Sequence, residues 1–261
     1  MKAIVLMLCL CVATTLAQAP SADREPTGRS NPSIDPRATE ALGRMTAFLK
    51  TVKTFTVSSE SSRDEIVDTD MKVQKQTSNE VTVRLPDRLY AHVRGDEHDL
   101  QFFYDGRTLT VFSRDKNMYA STPAPPTVSR TLDATRVRHG ISMPLADFIQ
   151  MASADNVLDE ILDAGYIGTS RVDGVECDHI AIRQRDVDWQ VWLERSATPL
   201  PRRMVITTKT EPTQPQYIAT FRWNLSPKFD DKLFVFTPPP NAARIAFARA
   251  KNREQIPDSP Q

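Results

Sequence analysis

The chain has 261 residues, and its 33 basic and 33 acidic side chains give a formal net charge of zero. That balance excludes the strongly basic surface with which proteins neutralise phosphates, so we expect no nucleic-acid partner. Glycine is scarce, at 8 residues, and neither of the common glycine-rich phosphate-binding motifs occurs. We therefore expect no nucleotide cofactor.

The N-terminus predicts export from the cytoplasm. Lys2 precedes an almost wholly apolar run over residues 4–16, which is too short for a membrane-spanning helix. A short apolar run followed by small residues is typical of a secretory signal peptide. We expect a signal peptide over residues 1–17, cleaved after Ala17, with cleavage after Ala19 as the alternative.

The cysteines limit how the exported chain could be anchored or cross-linked. Cys9 and Cys11 lie inside the apolar run and each follows a leucine, whereas a bacterial lipobox needs a small residue there. Both are expected to leave with the signal peptide. Cys177 alone cannot form an internal disulfide or a thiolate zinc site. We therefore expect a periplasmic protein that is not a lipoprotein.

A polar arm and an amphipathic helix follow the signal peptide. Residues 18–33 are rich in Pro, Ser, Gly and Arg, which predicts a flexible arm. Asp35 fits a helix N-cap, with Pro36 at the first helical position. Apolar residues then recur at spacings of three and four, which predicts a helix over residues 35–53.

After this helix the apolar period becomes two. Apolar and polar residues alternate in several short runs, and Asp105-Gly106 is a typical hairpin turn between two of them. Residues up to Ser121 are therefore expected to form an antiparallel β-meander.

A helical insert is predicted to interrupt the strands over residues 122–165. Its apolar spacing indicates helices over residues 129–139, 142–151 and 155–164, and Gly165 is expected to end the last of them.

Strands are predicted to resume after a turn at Asp173-Gly174. The strongest strand pattern in the chain is the strict alternation over residues 217–225. Short strands over residues 234–236 and 245–247 are expected to close the domain.

Together these segments predict a mainly β (α+β) chain. We expect one domain over residues 34–248, built on an antiparallel sheet with covering helices, and a disordered tail over residues 249–261.

Residues 173–181 and 186–192 resemble an uncharacterised family of predicted periplasmic proteins, domain-of-unknown-function family 2092. The resemblance continues through residues 199–203, 215–217, 223–225 and 234–239, and spans roughly residues 35–247. That family is similar in turn to the outer-membrane lipoprotein carriers of the LolA and LolB type. The resemblance implies an antiparallel, unclosed β-barrel whose helices cover an apolar cargo. It brings no catalytic residues.

In such a fold, apolar strand faces become the wall of a pocket and the helices become its lid. The candidate pocket residues are Phe55, Val57, Val83, Trp189, Val191, Tyr217, Phe221 and Trp223. The candidate lid residues are Leu42, Met45, Phe48, Leu49, Phe148 and Ile149. The alternative, in which the same side chains simply fill a closed core, stays open.

No arrangement of polar residues predicts catalysis. The four histidines lack metal-ligand spacing, so we expect no metal site. Cys177 and His179 share one strand face, but no third group orients them as a nucleophile pair requires. We expect a buried thiol beside a partly exposed imidazole, and we do not expect an enzyme.

The function expected from these patterns is a periplasmic binding or carrier protein for a lipid, an acyl chain or a lipidated partner. An envelope protein and a peripheral membrane surface are further candidate partners, and no cofactor is implied. The alternative is an envelope protein-interaction or sensor module with a filled core and no small-molecule cargo. The sequence does not indicate an oligomeric state.

Overall fold

The computed structural model describes residues 33–67, 71–141, 146, 148–149 and 161–247. The expected signal peptide, most of the arm, the C-terminal tail and most of the helices predicted over residues 142–151 and 155–164 lie outside the described residues. The described helices are α1 (Pro36–Thr51) and α2 (Val128–His139), a 3-10 helix (Asp231–Phe234), and the helical residues Ala146, Phe148 and Ile149. The described strands are β1 (Thr54–Ile66), β2 (Lys72–Arg84), β3 (Arg88–Gly95), β4 (His98–Tyr104), β5 (Thr108–Ser113), β6 (Met118–Pro123), β7 (Asp163–Val172), β8 (Val175–Arg183), β9 (Val187–Glu194), β10 (Pro201–Thr208), β11 (Gln216–Asn224) and β12 (Ala243–Arg244).

Helix α1 begins as its sequence predicts. Asp35 caps it, because its carboxylate accepts a hydrogen bond from the backbone N–H of Arg37 at 2.9 Å, and Pro36 follows the cap. Hydrogen bonds from the side chain and backbone of Arg37 lower the pKa of Asp35 to about 2. The apolar stripe of α1 is buried, at Ala38, Ala41, Leu42, Met45 and Leu49.

Helix α2 confirms the helix predicted over residues 129–139. The Thr127 hydroxyl accepts a hydrogen bond from the backbone N–H of Arg130 at 3.3 Å, which caps the N-terminus. The helix ends at Gly140, whose φ of 66° lies in the left-handed region that glycine tolerates best.

The described strands form one sheet in the order β12-β6-β5-β4-β3-β2-β1-β11-β10-β9-β8-β7. Neighbours are antiparallel except β12, which runs parallel to β6. Two meanders, β1–β6 and β7–β11, are joined where β1 pairs with β11. Because β7 and β12 lie at opposite edges and do not pair, the sheet is unclosed, which confirms the predicted fold class.

Both predicted hairpin turns are present. Asp173 and Gly174 have φ values of 48° and 79°, the paired positive values of the tight turn that suits twisted strands. At the other turn the Asp105 carboxylate accepts hydrogen bonds from the backbone N–H groups of Arg107 and Thr108, at 2.9 and 2.8 Å.

The sequence-based assignment fails at β7. The helix predicted over residues 155–164 is wrong at its end, since Asp163 already begins this strand, and Gly165 lies within it rather than ending a helix. The strand pairs with β8, but the register shifts between Tyr166 and Gly168. That shift breaks the alternation by which a strand is recognised in sequence.

The C-terminal segment also differs from prediction. Residues 234–236 were expected to form a strand, but Phe234 ends a 3-10 helix capped by the Asp230 carboxylate. The last described strand is β12, which occupies the two residues immediately before the segment predicted over 245–247. Phe234 is fully buried, Val235 is exposed, and Phe236 packs against Phe103, Phe112 and Tyr119.

Candidate ligand cavity

Alternate residues of neighbouring strands share one face of the sheet, which we call the inner face. It carries Val57 of β1, and Val81 and Trp223 lie opposite Val57 in the registers of β2 and β11. Because side chains alternate along a strand, Phe55, Ser59 and Ser61 face the same side as Val57. Both described α-helices pack on this face.

Helix α1 covers the inner face of β8 and β9. Leu42 and Met45 belong to one buried cluster with Ile180, Trp189 and Val191. All five side chains are at most 7% exposed, so this part of the inner face is a filled core.

Helix α2 covers the inner face at the other end of the sheet. Val128 and Leu132 pack in a second buried cluster with Leu89, Tyr104 and Leu109. The backbone N–H of Val128 also donates to the carbonyl of Pro86 at 2.7 Å, which fixes the start of the helix against the β2–β3 turn.

Beside the second of these clusters, and partly lined by it, the inner face borders a cavity of about 500 Å³. Its described lining comes from strands β1–β4, β10 and β11 and from the helical insert, without a residue of α1 or α2. The apolar lining residues are Val93, Leu100, Phe102, Ile141, Phe148, Met204, Ile206, Tyr217 and Phe221. This volume and these apolar walls are typical of a small-molecule binding pocket.

Three polar lining residues on neighbouring positions of β1 and β2 form what we call the polar floor: Ser61, Thr77 and Asn79. The Asn79 amide nitrogen donates to the hydroxyls of Ser59 and Ser61, at 3.2 and 3.4 Å. The Ser61 hydroxyl donates in turn to the Thr77 carbonyl at 3.1 Å. The Asn79 side-chain oxygen is buried and has no hydrogen-bond partner.

Charged residues of both signs surround the opening and form what we call the charged rim: Arg63, Glu65, Lys75, Asp96 and Glu97. Lys75 and Glu97 are joined at 2.6 Å. This hydrogen bond raises the pKa of Lys75 and lowers the pKa of Glu97 from their ordinary values. A rim of mixed sign does not select strongly for an anionic or a cationic group.

Phe148 closes one side of the cavity. Its ring meets Phe221 edge to face, with centroids 5.4 Å apart, and lies 6.4 Å from Trp223. Trp223 also contacts Phe55 at 5.4 Å and donates its indole N–H to the Pro201 carbonyl at 2.8 Å. These aromatic contacts link the helical insert to the sheet.

The predicted pocket residues fall into three groups. Tyr217 and Phe221 line the cavity. Phe55 and Trp223 lie next to it, around a small recess below Phe148 and Ile149. The others lie in packed clusters: Val57 and Val83 in the α2 cluster, Trp189 and Val191 in the α1 cluster.

The predicted lid residues also lie in two different places, the cavity with its neighbouring recess and the α1 cluster. Phe148 lines the cavity, and Ile149 and Leu49 border the recess. Leu42 and Met45 pack in the α1 cluster, and the half-buried Phe48 packs against it. Helix α1 therefore covers the filled part of the inner face, whereas Phe148 and Ile141 lie against the cavity.

Sequence reasoning missed much of the cavity lining. Val93, Leu100 and Phe102 follow the period of two that identified their strands, and this signal could have placed them on the inner face. Ser61 and Asn79 gave no such signal, because a polar residue at an inner position looks like a solvated one.

Cys177 and His179 share a strand, as predicted, and they lie on the opposite face from Asp178, which contacts Arg44 of α1 at 3.0 Å. His179 stacks on Trp192, with centroids 4.0 Å apart, and its Nε2 pairs with Gln190 Oε1 at 2.9 Å. Cys177 is fully buried, and burial raises the pKa of its thiol. The predicted buried thiol is confirmed.

We expect Cys177 to resist alkylation in the folded protein, because a buried thiol with a raised pKa presents little thiolate. In a chain that starts at residue 18, Cys177 is the sole cysteine. Its labelling by iodoacetamide near neutral pH is expected to be at least roughly tenfold slower in buffer than in denaturant. Equal rates in the two conditions would show that the thiol is accessible, and Cys177→Ser supplies the unlabelled control.

Within the described residues, no three His, Cys, Asp or Glu side chains converge as metal ligands would. Among the described helices, none combines the length and hydropathy of a membrane span.

Several solved structures are similar to this chain. Lipoprotein LppX from Mycobacterium tuberculosis is 14% identical, with a TM-score of 0.44 over 75% of this chain and 100% of that one. LprF from Mycobacterium bovis is 12% identical, with a TM-score of 0.45 over 81% and 100%. A LolA superfamily protein from Nitrosomonas europaea is 11% identical, with a TM-score of 0.37 over 76% and 97%.

Among curated proteins, none is significantly similar to this chain. A protein family does match it, over residues 38–248, which include all of the described strands, helix α2 and all but the first two residues of helix α1. The chain therefore belongs to the family described as "Predicted periplasmic protein (DUF2092)".

Proposed function

We propose that this protein binds or carries an apolar molecule, either a lipid, an acyl chain or a lipidated partner, in the periplasm. The observation that carries the proposal is the cavity of about 500 Å³ with apolar walls over the middle of the inner face. An empty apolar space of that size forfeits packing contacts that a filled core would make. A ligand that fills it would restore those contacts.

The proposed affinity comes chiefly from apolar burial, at about 25 cal/mol for each Å² removed from water. Ile141 and Phe148 would add apolar contacts to those made by the strands. A polar group of the ligand could contact the charged rim at the opening of the cavity. No residue of the cavity is proposed to act as a catalyst.

The proposed location follows from the family description, predicted periplasmic protein, together with the apolar run at residues 4–16. We propose that this run is a signal peptide removed after Ala17. Export would place the mature protein beside the inner and outer membranes, where lipids and lipidated proteins are available as ligands.

The test is native mass spectrometry of the full-length chain, expressed in a bacterium and purified from a periplasmic extract without detergent. The folded protein is expected to be heavier than the denatured polypeptide, and organic extraction should resolve the difference into a lipid. Delipidated protein is also expected to bind one equivalent of an environment-sensitive apolar dye. The denatured mass identifies the signal-peptide cleavage site.

A native mass equal to that of the polypeptide, combined with no dye binding, would contradict the proposal. The function would then be better explained by an envelope interaction or sensor module. The filled core below α1 suits that alternative, because there the inner face has no space for cargo.

A further inference from the structure

The face of the sheet opposite the inner face, which we call the outer face, has a cavity of its own. Phe103 of β4, Thr110 of β5 and Ser121 of β6 lie opposite one another in the strand registers. Because Leu109, the neighbour of Thr110, packs below α2 on the inner face, this row points to the outer face. The row and the C-terminal segment, residues 234–244, border a space of about 310 Å³, which we call the outer cavity.

Small hydroxyl side chains leave the outer cavity unfilled. Phe236 holds the C-terminal segment on the sheet, because its ring packs on Phe103 and Tyr119 with centroids 5.2 and 5.0 Å apart. Beside this contact the strands present Thr110 and Ser121 instead of further aromatic or aliphatic groups. Packed interiors leave few voids of this size, so the space is not a part of a core. Its hydroxyl lining suits a ligand that forms hydrogen bonds.

Hydroxyl groups of the outer cavity are open to a ligand. Thr108 and Tyr119 both border the cavity and are partly exposed. Within the part of the chain that the structure describes, their hydroxyls have no protein partner and are not buried. The Ser121 hydroxyl pairs with that of Thr110 at 2.8 Å. Because a hydroxyl has one hydrogen and two lone pairs, this pair keeps further capacity, and Ser121 is the partly exposed member.

One cation and one anion border the outer cavity, and only the anion is already engaged. The Asp105 Oδ1 atom accepts hydrogen bonds from the backbone N–H groups of Arg107 and Thr108, which leaves Oδ2 as an acceptor for a ligand hydroxyl. Arg244 of β12 is exposed and forms no ion pair with another described residue. A free guanidinium pairs well with a carboxylate or a phosphate, because its N–H groups match two oxygens at once.

We propose that the outer cavity binds an anionic sugar, a single ring that bears a carboxylate or a phosphate group. Arg244 pairs with the anionic group, and Asp105, Thr108 and Tyr119 form hydrogen bonds with the ring hydroxyls. The C–H groups of the ring pack on Phe236. A volume of about 310 Å³ is small for a ligand pocket, so it suits one ring better than a long acyl chain. This site is separate from the apolar cavity of the proposed function, on the other face of the sheet.

The test is isothermal titration calorimetry of the purified wild-type chain with glucuronate and with glucose 6-phosphate. We expect at least one of them to bind roughly tenfold more tightly than glucose, which lacks the anionic group, and than acetate or inorganic phosphate, which lack the ring. The methyl glycoside of the tighter ligand separates two sources. Retained binding assigns the site to the end of a saccharide chain, lost binding assigns it to a free sugar, and both support the inference.

Two variants locate the site. Arg244→Gln is expected to bind the anionic sugar roughly tenfold more weakly than wild type, while its affinity for glucose is unchanged. Arg94→Gln is the matched control, because Arg94 is an exposed arginine of the outer face that forms no ion pair with another described residue and does not border the outer cavity. It is expected to bind as wild type does. Both residues are exposed, so neither change is expected to unfold the protein.

Three results would overturn the inference. The first is that wild type binds neither anionic sugar, or binds acetate or inorganic phosphate equally well. The second is that alanine binds more tightly than either sugar, which would assign Asp105 and Arg244 to a zwitterion. The third is an equal loss of affinity in Arg244→Gln and Arg94→Gln, which would be a general effect of net charge. The proposed function is tested separately, by dye binding and native mass, and none of these results bears on it.

Discussion

Replacement of Thr77 with tryptophan is expected to weaken the binding of apolar molecules roughly tenfold while leaving the fold intact. Thr77 lines the cavity from β2, opposite Ser61 and Gly95 in the strand register. An indole there would occupy space that the ligand needs. A ligand that loses about 60 Å² of apolar contact loses roughly tenfold in affinity, at about 25 cal/mol per Å².

The fold is expected to tolerate this change for two reasons. Tryptophan is well suited to strands, and a side chain that enters an open cavity avoids the cost of overpacking a filled core. Ser78→Trp is the matched control, because Ser78 is the next residue along β2 and its hydroxyl bonds to Glu60 on the opposite face. Dye titration and thermal unfolding are measured on both variants. Unchanged dye affinity in Thr77→Trp would show that the ligand lies elsewhere.

Replacement of Phe234 with alanine is expected to lower the free energy of unfolding by about 3–5 kcal/mol. Phe234 is fully buried, although it belongs to a short 3-10 helix near the C-terminal end of the described domain. Its ring meets Phe229 edge to face at 5.2 Å, and the Arg84 guanidinium lies 5.6 Å from its centroid. Truncation would remove these contacts and leave a cavity.

Urea unfolding followed by circular dichroism measures this loss. Val235→Ala is the control, because Val235 is the neighbouring residue but is 52% exposed, and its truncation is expected to cost less than about 0.5 kcal/mol. A loss below about 1 kcal/mol in Phe234→Ala would mean that the C-terminal segment contributes little to the stability of the sheet.

The period of two predicted which side of each strand faces inward, but it did not predict what covers that side. Val191 of β9 and Phe221 of β11 share the inner face, as the alternation of their strands indicated. One is packed below α1 and the other lines a cavity. Strand pleating is a local property of the backbone, whereas the position of a helix over the sheet depends on contacts between distant segments.

Strand β7 was missed for a different physical reason. It is an edge strand that pairs with one strand, β8, and its other side has a single bridge, between Ala164 and Ile34. Its glycines, Gly165 and Gly168, weaken the strand signal, and Gly168 has a φ of 139° at the register shift. The apolar residues just before it have helical spacing. The local pattern therefore predicted a helix that ends at residue 164, after the strand has begun at Asp163.

The polar floor was invisible in the sequence because it depends on burial. Ser61 and Asn79 of the polar floor, and Ser59 beside them, are polar residues within runs that otherwise alternate, which usually indicates exposure to solvent. They are at most 5% exposed because β1 and β2 lie in the centre of the sheet and their neighbours enclose them. Their spacing in the sequence is consistent with the inner face, but it did not distinguish them from polar residues exposed to solvent.

The pairing of β1 with β11 has a consequence for how the protein folds. Each meander can form from neighbouring hairpins, but this one pair joins strands from opposite ends of the described domain. Long-range pairing is slow, because the loss of chain entropy on closure precedes the contacts that compensate it. The cavity takes its walls from both meanders, so a half-folded chain has no binding site and leaves the apolar inner face of each meander uncovered. A chain with this topology is therefore most prone to aggregate before β1 and β11 meet.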